Sequence, residues 1–219
     1  LQNKFFSPSL MCADFTKLPQ EIHDLEAAGA DSFHLDMIDG NFVANLALGL
    51  QDVQAIRALT TKPLAAHMMI NNTHRYIQLF AQQLGVDTLY IHPEADPQIV
   101  KSFMEIKAYH KHCGVVISPN TSIAMVEELF NLVDFVLVMT VNLGFAGQTY
   151  LDFVTTKIKK LIPYKQKYNF QIVVDGAISP AKIAELGAIG VDGFVLGTSA
   201  LFNKKEAYQD ILPQLRELN

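Results

Sequence analysis

His34 and Asp36 stand two residues apart in the stretch Ser32-Phe-His-Leu-Asp-Met-Ile-Asp-Gly40, where apolar Phe33, Leu35 and Met37 alternate with them. A period of two is that of a strand, so the imidazole and the carboxylate project from one face. Gly40 then offers a place for the strand to hand over to a loop. An imidazole and a carboxylate at a strand end are half of a metal site. The pair could equally be a buried histidine hydrogen-bonded to a buried aspartate, and this stretch alone does not separate the two.

The elements that carry such residues repeat along the chain. Short apolar runs predict strands at Phe5–Met11, Asp31–Ile38, Leu64–Ile70, Val86–His92, Cys113–Ser118, Val133–Thr140, Phe170–Asp175 and Val191–Gly197. Helix-patterned segments lie between them. Thr16 is placed to cap a helix with Pro19 in its first turn, Thr121 or Ser122 a helix through Phe130, and Ser179 a helix that begins at Pro180. Gly29-Ala-Asp31, Gly85-Val-Asp87 and Gly190-Val-Asp192 repeat one helix-to-strand turn, each with a glycine at the helix end. Strands and helices alternating in this way over 219 residues predict an α/β fold, a closed parallel (β/α)8 TIM barrel. An open doubly wound sheet is the competing architecture.

In such a barrel the site lies at the C-terminal ends of the strands. Ser9, His34 with Asp36, His67, His92, Ser118, Met139 and Asp175 fall at or near those ends, after largely apolar runs. One buried polar group is ordinarily a satisfied core residue; repetition at equivalent ends is hard to explain as structure alone. His34, Asp36, His67 and Asp175 form a two-histidine, two-carboxylate set suited to one divalent metal ion, zinc foremost, with iron, manganese or cobalt held by the same chemistry. His92 precedes Pro93 and reads as a strand cap, while His23, His74, His110 and His112 read as surface residues.

Glycines follow the last three strands: Gly144, Phe145, Ala146 and Gly147, then Gly176 and Ala177, then Gly197, Thr198 and Ser199. Backbone N–H groups in glycine loops, with a short helix N-terminus, make a phosphate cradle. These stretches hold no Lys or Arg, so backbone dipoles would do the holding.

Half of the residues are apolar and no composition break divides the chain, which predicts one domain over residues 1–219. With a net charge of −5 and no basic run, nucleic-acid binding is unsupported; Lys157 to Lys160 read as the solvated face of an amphipathic helix. Cys12 and Cys113 lack metal-type spacing and suit a reduced, cytoplasmic protein. No apolar stretch is long enough to predict a transmembrane helix, and no signal-peptide pattern opens the sequence, although Leu1 in place of Met is compatible with trimming.

Taken together, Ser7-Pro-Ser-Leu10, His34-Leu-Asp-Met-Ile-Asp-Gly40, Phe42-Val-Ala-Asn45, His67-Met-Met69, Val138-Met-Thr-Val141, Gly144-Phe-Ala-Gly-Gln148 and Val174-Asp-Gly176 resemble, in order, the motifs of ribulose-phosphate 3-epimerases. The likeness runs through essentially the whole chain. It implies a TIM barrel of the ribulose-phosphate-binding type. It also implies a metal-dependent isomerase of carbohydrate metabolism that acts on a small phosphorylated ketose and assembles as a homo-oligomer. On that resemblance His34, Asp36, His67 and Asp175 bind the metal, and Asp36 and Asp175 also move protons. Ser9 and His67 touch the substrate, and Met69 and Met139 cap the reacting carbons. Ile38 stands where the family usually has another cap methionine, with Met37 one position early and expected to point outward. Ala44 and Leu143 replace prolines, and Ala146 and Ala177 replace loop glycines. Leu10-Met-Cys12, Gly144-Phe-Ala-Gly147 and Gly197-Thr-Ser-Ala-Leu-Phe202 also look like the branch acting on allulose 6-phosphate, a six-carbon substrate. A barrel decarboxylase or aldolase is the weaker alternative, because Asp36-Met-Ile-Asp39 lacks a lysine between its acids. A sugar-phosphate binder without activity would not need both aspartates.

Overall fold

The computed structural model describes residues 4–218. One sheet holds β1 (Phe5–Pro8), β2 (Phe33–Asp39), β3 (Leu46–Ala47), β4 (Leu64–Met69), β5 (Thr88–Ile91), β6 (His112–Ile117), β7 (Phe135–Met139), β8 (Gln171–Asp175) and β9 (Gly193–Leu196). From β4 to β9 each strand lies parallel beside the next, β4 also pairs with β2, and β9 returns to β1. The parallel bridge between Ser9 and His34 closes the ring between β1 and β2. This is the (β/α)8 barrel.

Only β3 departs from the parallel pattern, pairing antiparallel with β2 through Ile38–Ala47 and Asp39–Leu46. The predicted strands do not include it. Asp39 is the cause: its carboxylate accepts the N–H groups of Asn41 and Phe42, both at 2.8 Å, and turns the chain back on itself.

Around the sheet lie α1 (Leu18–Ala27), α2 (Leu50–Leu59), α3 (Ile99–Ala108), α4 (Phe153–Tyr168), α5 (Pro180–Ile189) and α6 (Tyr208–Glu217). Ser179 caps α5 as expected, its Oγ accepting the Lys182 N–H at 3.3 Å ahead of Pro180. Thr16 does not cap α1, which has no side-chain cap; Asp14 accepts the Thr16 N–H and caps a 3-10 turn, Phe15–Lys17, that leads into the helix. The helix expected through Phe130 is two 3-10 turns, Ile123–Met125 and Glu127–Leu132. Ser122 makes no side-chain cap there, and the Thr121 hydroxyl bonds the Glu94 carboxylate instead.

The repeated turns are built for strand registration. Gly29, Gly85 and Gly190 have φ of +94°, +65° and +112°, where a β-carbon is unwelcome. The aspartate two residues on then clamps an adjoining strand: Asp31 accepts from Phe6 N–H at 2.7 Å, Asp87 from Leu64 at 3.0 Å and Asp192 from Ile172 at 2.8 Å. A cation faces each one, Arg216 at Asp31, Lys111 at Asp87 and Lys165 at Asp192.

Two apolar layers hold the barrel. Phe33, Leu35 and Met37 belong to the layer between sheet and helices, so Met37 points away from the barrel axis as its alternation requires. Tyr90, Val116, Leu137, Val173 and Val195 fill the axis and leave its C-terminal end to polar groups. Lys157 corrects one expectation. It is half-buried, and its Nζ donates to the carbonyls of Ser118, Pro119 and Thr121 at 2.7–3.0 Å, fastening α4 over the end of β6. Among the described residues no helix is long and apolar enough to cross a membrane.

Candidate active site

Alternation along β2 turns His34 and Asp36 inward, and the register with β4 sets His67 level with Asp36. Asp175 ends β8 and is brought to the same point, its backbone gripped by Thr140, whose Oγ1 donates to the Asp175 carbonyl at 2.9 Å. His34 Nε2 lies 3.4 Å from Asp36 Oδ1 and 3.5 Å from Asp175 Oδ2. His67 Nδ1 lies 3.4 Å and 3.6 Å from the same two oxygens. One donor atom from each of the four residues falls within 4.8 Å of all the others.

These separations are long for hydrogen bonds. His34 Nδ1, His34 Nε2 and His67 Nδ1 are buried and have no hydrogen-bond partner. Orphaned buried nitrogens are rare and call for a cause. Four ligands at zinc-type bond lengths of about 2.0–2.2 Å, placed tetrahedrally, stand about 3.3–3.6 Å apart, which is the spacing of the four nitrogen–oxygen pairs. The residues therefore fit a divalent cation. Without one, protons balance the charge. Burial alone would lower His34, but the Asp36 and Asp175 carboxylates raise it to about 10. Burial opposes ionisation of Asp36, and the His34 and His67 imidazoles nevertheless hold it well below the usual carboxylate range. Asp175 is lowered in the same way.

His92 directly follows β5, where its carbonyl accepts the Ala95 N–H, and it does not line the cleft, but its side chain does more than end the strand. It is fully buried, with Nε2 only 2.8 Å from His67 Nε2, and with Nδ1 3.2 Å from Ser118 Oγ and 3.7 Å from the Glu94 carboxylate. The His92-Pro-Glu94 spacing repeats the histidine–acid separation of His34 and Asp36, a signal that the neighbouring proline obscures. His74 also departs from expectation, since it is partly buried and its Nδ1 meets buried Asp96 at 3.1 Å. His23, His110 and His112 are exposed.

A cleft opens over the cluster. Ser9, Asp36, Met69, Met139, Gly144, Phe145, Ala146, Gly147, Asp175, Gly176, Ala177, Gly197 and Thr198 all line it. His67, expected to touch substrate, is not among the residues that line the cleft and sits fully buried beneath it. Ser9 Oγ donates to Asp36 Oδ2 at 2.6 Å, leaving Oδ1 toward the histidines. The lining also includes Met11 and Cys12, in a 3-10 turn after β1, and Asn142 and Gln148, in the loop after β7. Gln148 Nε2 bonds the Asn142 and Phe145 carbonyls at 2.6 Å and 2.9 Å, and Asn45 Nδ2 bonds the Gly144 carbonyl at 2.6 Å. The loops after β2 and β7 are thereby tied across the cleft. No Lys or Arg is among the lining residues. The helix N-terminus expected after β9 is a single turn, with the Leu201 and Phe202 N–H groups both on the Gly197 carbonyl.

The profile of the ribulose-phosphate 3 epimerase family matches residues 5–202. The chain belongs to that family. It is 38% identical to the ribulose-phosphate 3-epimerase of Bacillus subtilis over 211 residues, 94% of this chain and 96% of that one. Similarity extends to the Rhodobacter capsulatus ribulose-phosphate 3-epimerase, 38% identical with 88% and 83% of the two chains covered. It reaches the chloroplastic ribulose-5-phosphate-3-epimerase of Arabidopsis thaliana, 34% identical with 91% and 72% covered. Among solved structures, KGPDC from Streptococcus mutans superposes with a TM-score of 0.76 over 99% of both chains. Its 15% identity carries the fold and nothing about the reaction.

Within this epimerase-family chain the departures fall at the end of β2 and in the loops beyond the strand ends. Ile38 is buried at the β2 end, and the Val43 side chain beside Ala44 packs against Gly144 at φ +103°. Ala177 adopts φ +52°, a left-handed conformation that glycine would hold without strain. None of these changes replaces His34, Asp36, His67 or Asp175.

Proposed function

We propose that this chain is an isomerase that interconverts D-ribulose 5-phosphate and D-xylulose 5-phosphate by inverting C3. The observation that carries the reading is the placement of two aspartates and two histidines around one point at the floor of a cleft. Inverting a carbon beside a ketone requires taking its proton from one face and returning one to the other. Asp36 on β2 and Asp175 on β8 come from strands separated around the ring by β1 and β9, a placement that supports one carboxylate serving each face of the substrate. One removes the C3 proton, the substrate becomes an enediolate, and the other, protonated, donates on the far side.

His34, Asp36, His67 and Asp175 would hold the cation, which for this nitrogen and oxygen donor set is zinc foremost. When bound, it supplies Lewis-acid stabilisation of the negative charge that develops on the substrate oxygens. Ser9 orients Asp36 through its 2.6 Å hydrogen bond and adds to the support that the His34 and His67 imidazoles give its ionised form. Met69 and Met139 present a soft apolar surface that excludes water from the intermediate. The turns at Gly176-Ala177 and Gly197-Thr198 offer backbone N–H groups to the phosphate. The free cysteines, Cys12 and Cys113, suit a reducing cytoplasm.

Ribulose 5-phosphate is preferred over allulose 6-phosphate because the relatives matched across nearly the whole chain are named as ribulose-phosphate epimerases. A coupled assay run on both sugar phosphates in parallel checks this, with turnover of the pentulose exceeding that of the hexulose. Asp36→Asn and Asp175→Asn are each expected to lower turnover by at least about 100-fold with the fold retained. Near-normal turnover in either variant would falsify the two-base scheme.

A further inference from the structure

His67 can give a lone pair from Nδ1 to a cation only if its proton sits on Nε2. That nitrogen has one neighbour, His92 Nε2 at 2.8 Å. The His67 Nε2–H must then donate, and His92 Nε2 must accept. A neutral His92 that accepts at Nε2 carries its own proton on Nδ1, which faces Ser118 Oγ at 3.2 Å and a Glu94 oxygen at 3.7 Å. The serine hydroxyl can donate or accept and so has no preference. A carboxylate only accepts, and it favours the Nδ1–H form of His92. In the reverse arrangement a lone pair on His92 Nδ1 would face the Glu94 charge, and His67 Nδ1 would be blocked by its own proton. Thr121 donates to the Glu94 carboxylate and holds it, and the Thr121 carbonyl accepts from Lys157 Nζ at 2.7 Å.

From this geometry we infer that His92 and Glu94 are positioning residues that fix the ring and tautomer of His67, so that the cation site is set in part from the end of the neighbouring strand, β5. The inference rests on the cation reading given above. The Glu94 charge, 3.7 Å from His92 Nδ1, biases the His92 tautomer, and the hydrogen bond between the two Nε2 atoms carries that bias to His67 and the cluster. Phe42 packs on His92 at a centroid distance of 5.0 Å and blocks ring rotation from the other side.

The test is the zinc affinity of the full chain, measured by competition with a chromophoric chelator, together with nitrogen NMR of the imidazoles in zinc-loaded protein. His92→Leu, which leaves the His67 Nε2–H buried without an acceptor, is expected to weaken zinc about 10–100-fold. His92→Gln restores an acceptor and should return the affinity to within a few-fold. Glu94→Gln, at an exposed position that tolerates exchange, should weaken zinc by a smaller factor, because its amide can donate to His92 Nδ1 and favour the wrong tautomer. The spectrum of the unmodified protein should show Nε2–H at His67 and Nδ1–H at His92. Should His92→Leu fail to fold, Glu94→Gln and that spectrum decide. Unchanged zinc affinity in Glu94→Gln or in folded His92→Leu, or a proton on His92 Nε2, overturns the inference. If the unmodified chain binds no zinc, the cation reading itself has failed, and that is a separable result.

Discussion

At the scale of single residues, the hydrogen bond from Ser9 Oγ to Asp36 Oδ2 has the sharpest consequence. At 2.6 Å it is a short bond to a buried charge, a class worth about 1.5–3 kcal/mol. Ser9→Ala is therefore expected to lower turnover about 10–100-fold and to raise the acid limb of the rate profile. The sign follows from the donor: removing a hydrogen bond to the ionised form disfavours that form, so Asp36 protonates at higher pH. Steady-state rates from pH 5 to pH 9 check this, and an unmoved acid limb would count against Ser9 acting through Asp36. The residues of the cluster are legible in the sequence because a strand alternates and because buried polar groups gather at strand ends. His92 is not, since Pro93 makes it look like a cap and its meaning depends on a neighbour 25 positions away, His67. Lys157 is hidden for a similar reason: a lysine within a run of cations reads as solvated, and only the fold brings three carbonyls to it.

Among the elements, the turn after β8 is where sequence and geometry pull against each other. Gly176 has φ +114°, and a β-carbon there would lie 2.5 Å from Val141 Cγ2. Ala177 follows at φ +52°, where an L-residue pays about 1–2 kcal/mol. Ala177→Gly removes that strain but loosens the unfolded chain, for a net gain of about 0.5–1 kcal/mol. Gly176→Ala combines strain with a clash and should cost more than Ala177→Gly gains. Denaturant midpoints of the two variants should move in opposite directions; midpoints that move together would show that the turn is not locked as drawn. The parallel strands of the barrel are legible from apolar runs and helix-end glycines. Their ends are not: the first predicted strand runs on to Met11, whereas Leu10–Cys12 is a 3-10 turn. Leu10 is buried like a strand residue, and burial does not distinguish an extended segment from a turn tucked under it. The β3 ribbon is invisible because the Asp39 side chain makes it, and a hydrophobic pattern cannot register one carboxylate bonding the N–H groups of Asn41 and Phe42.

For the molecule as a whole, the cluster couples stability to both pH and metal. In the metal-free protein His34 is raised from 6.5 to about 10. Its contribution is complete below pH 6.5 and is lost as pH rises toward 10. Asp36 and Asp175 are lowered from 3.8, so their contribution is present above that value and is lost on acidification. Metal-free protein should thus draw full benefit from these groups only between about pH 4 and 6.5. A cation takes the place of the proton on His34, so loaded protein escapes the alkaline loss and binding tightens as pH rises. Zinc at about 100 times its dissociation constant adds about 2.7 kcal/mol, a rise in Tm of about 5–10 °C for a chain of this size. Calorimetry of stripped and zinc-loaded protein at pH 6, 7 and 8 should show the two melting temperatures separating with each step. A gap that stays constant or narrows would mean that protons and metal do not compete for His34, and that the four side chains meet for some reason other than holding a cation.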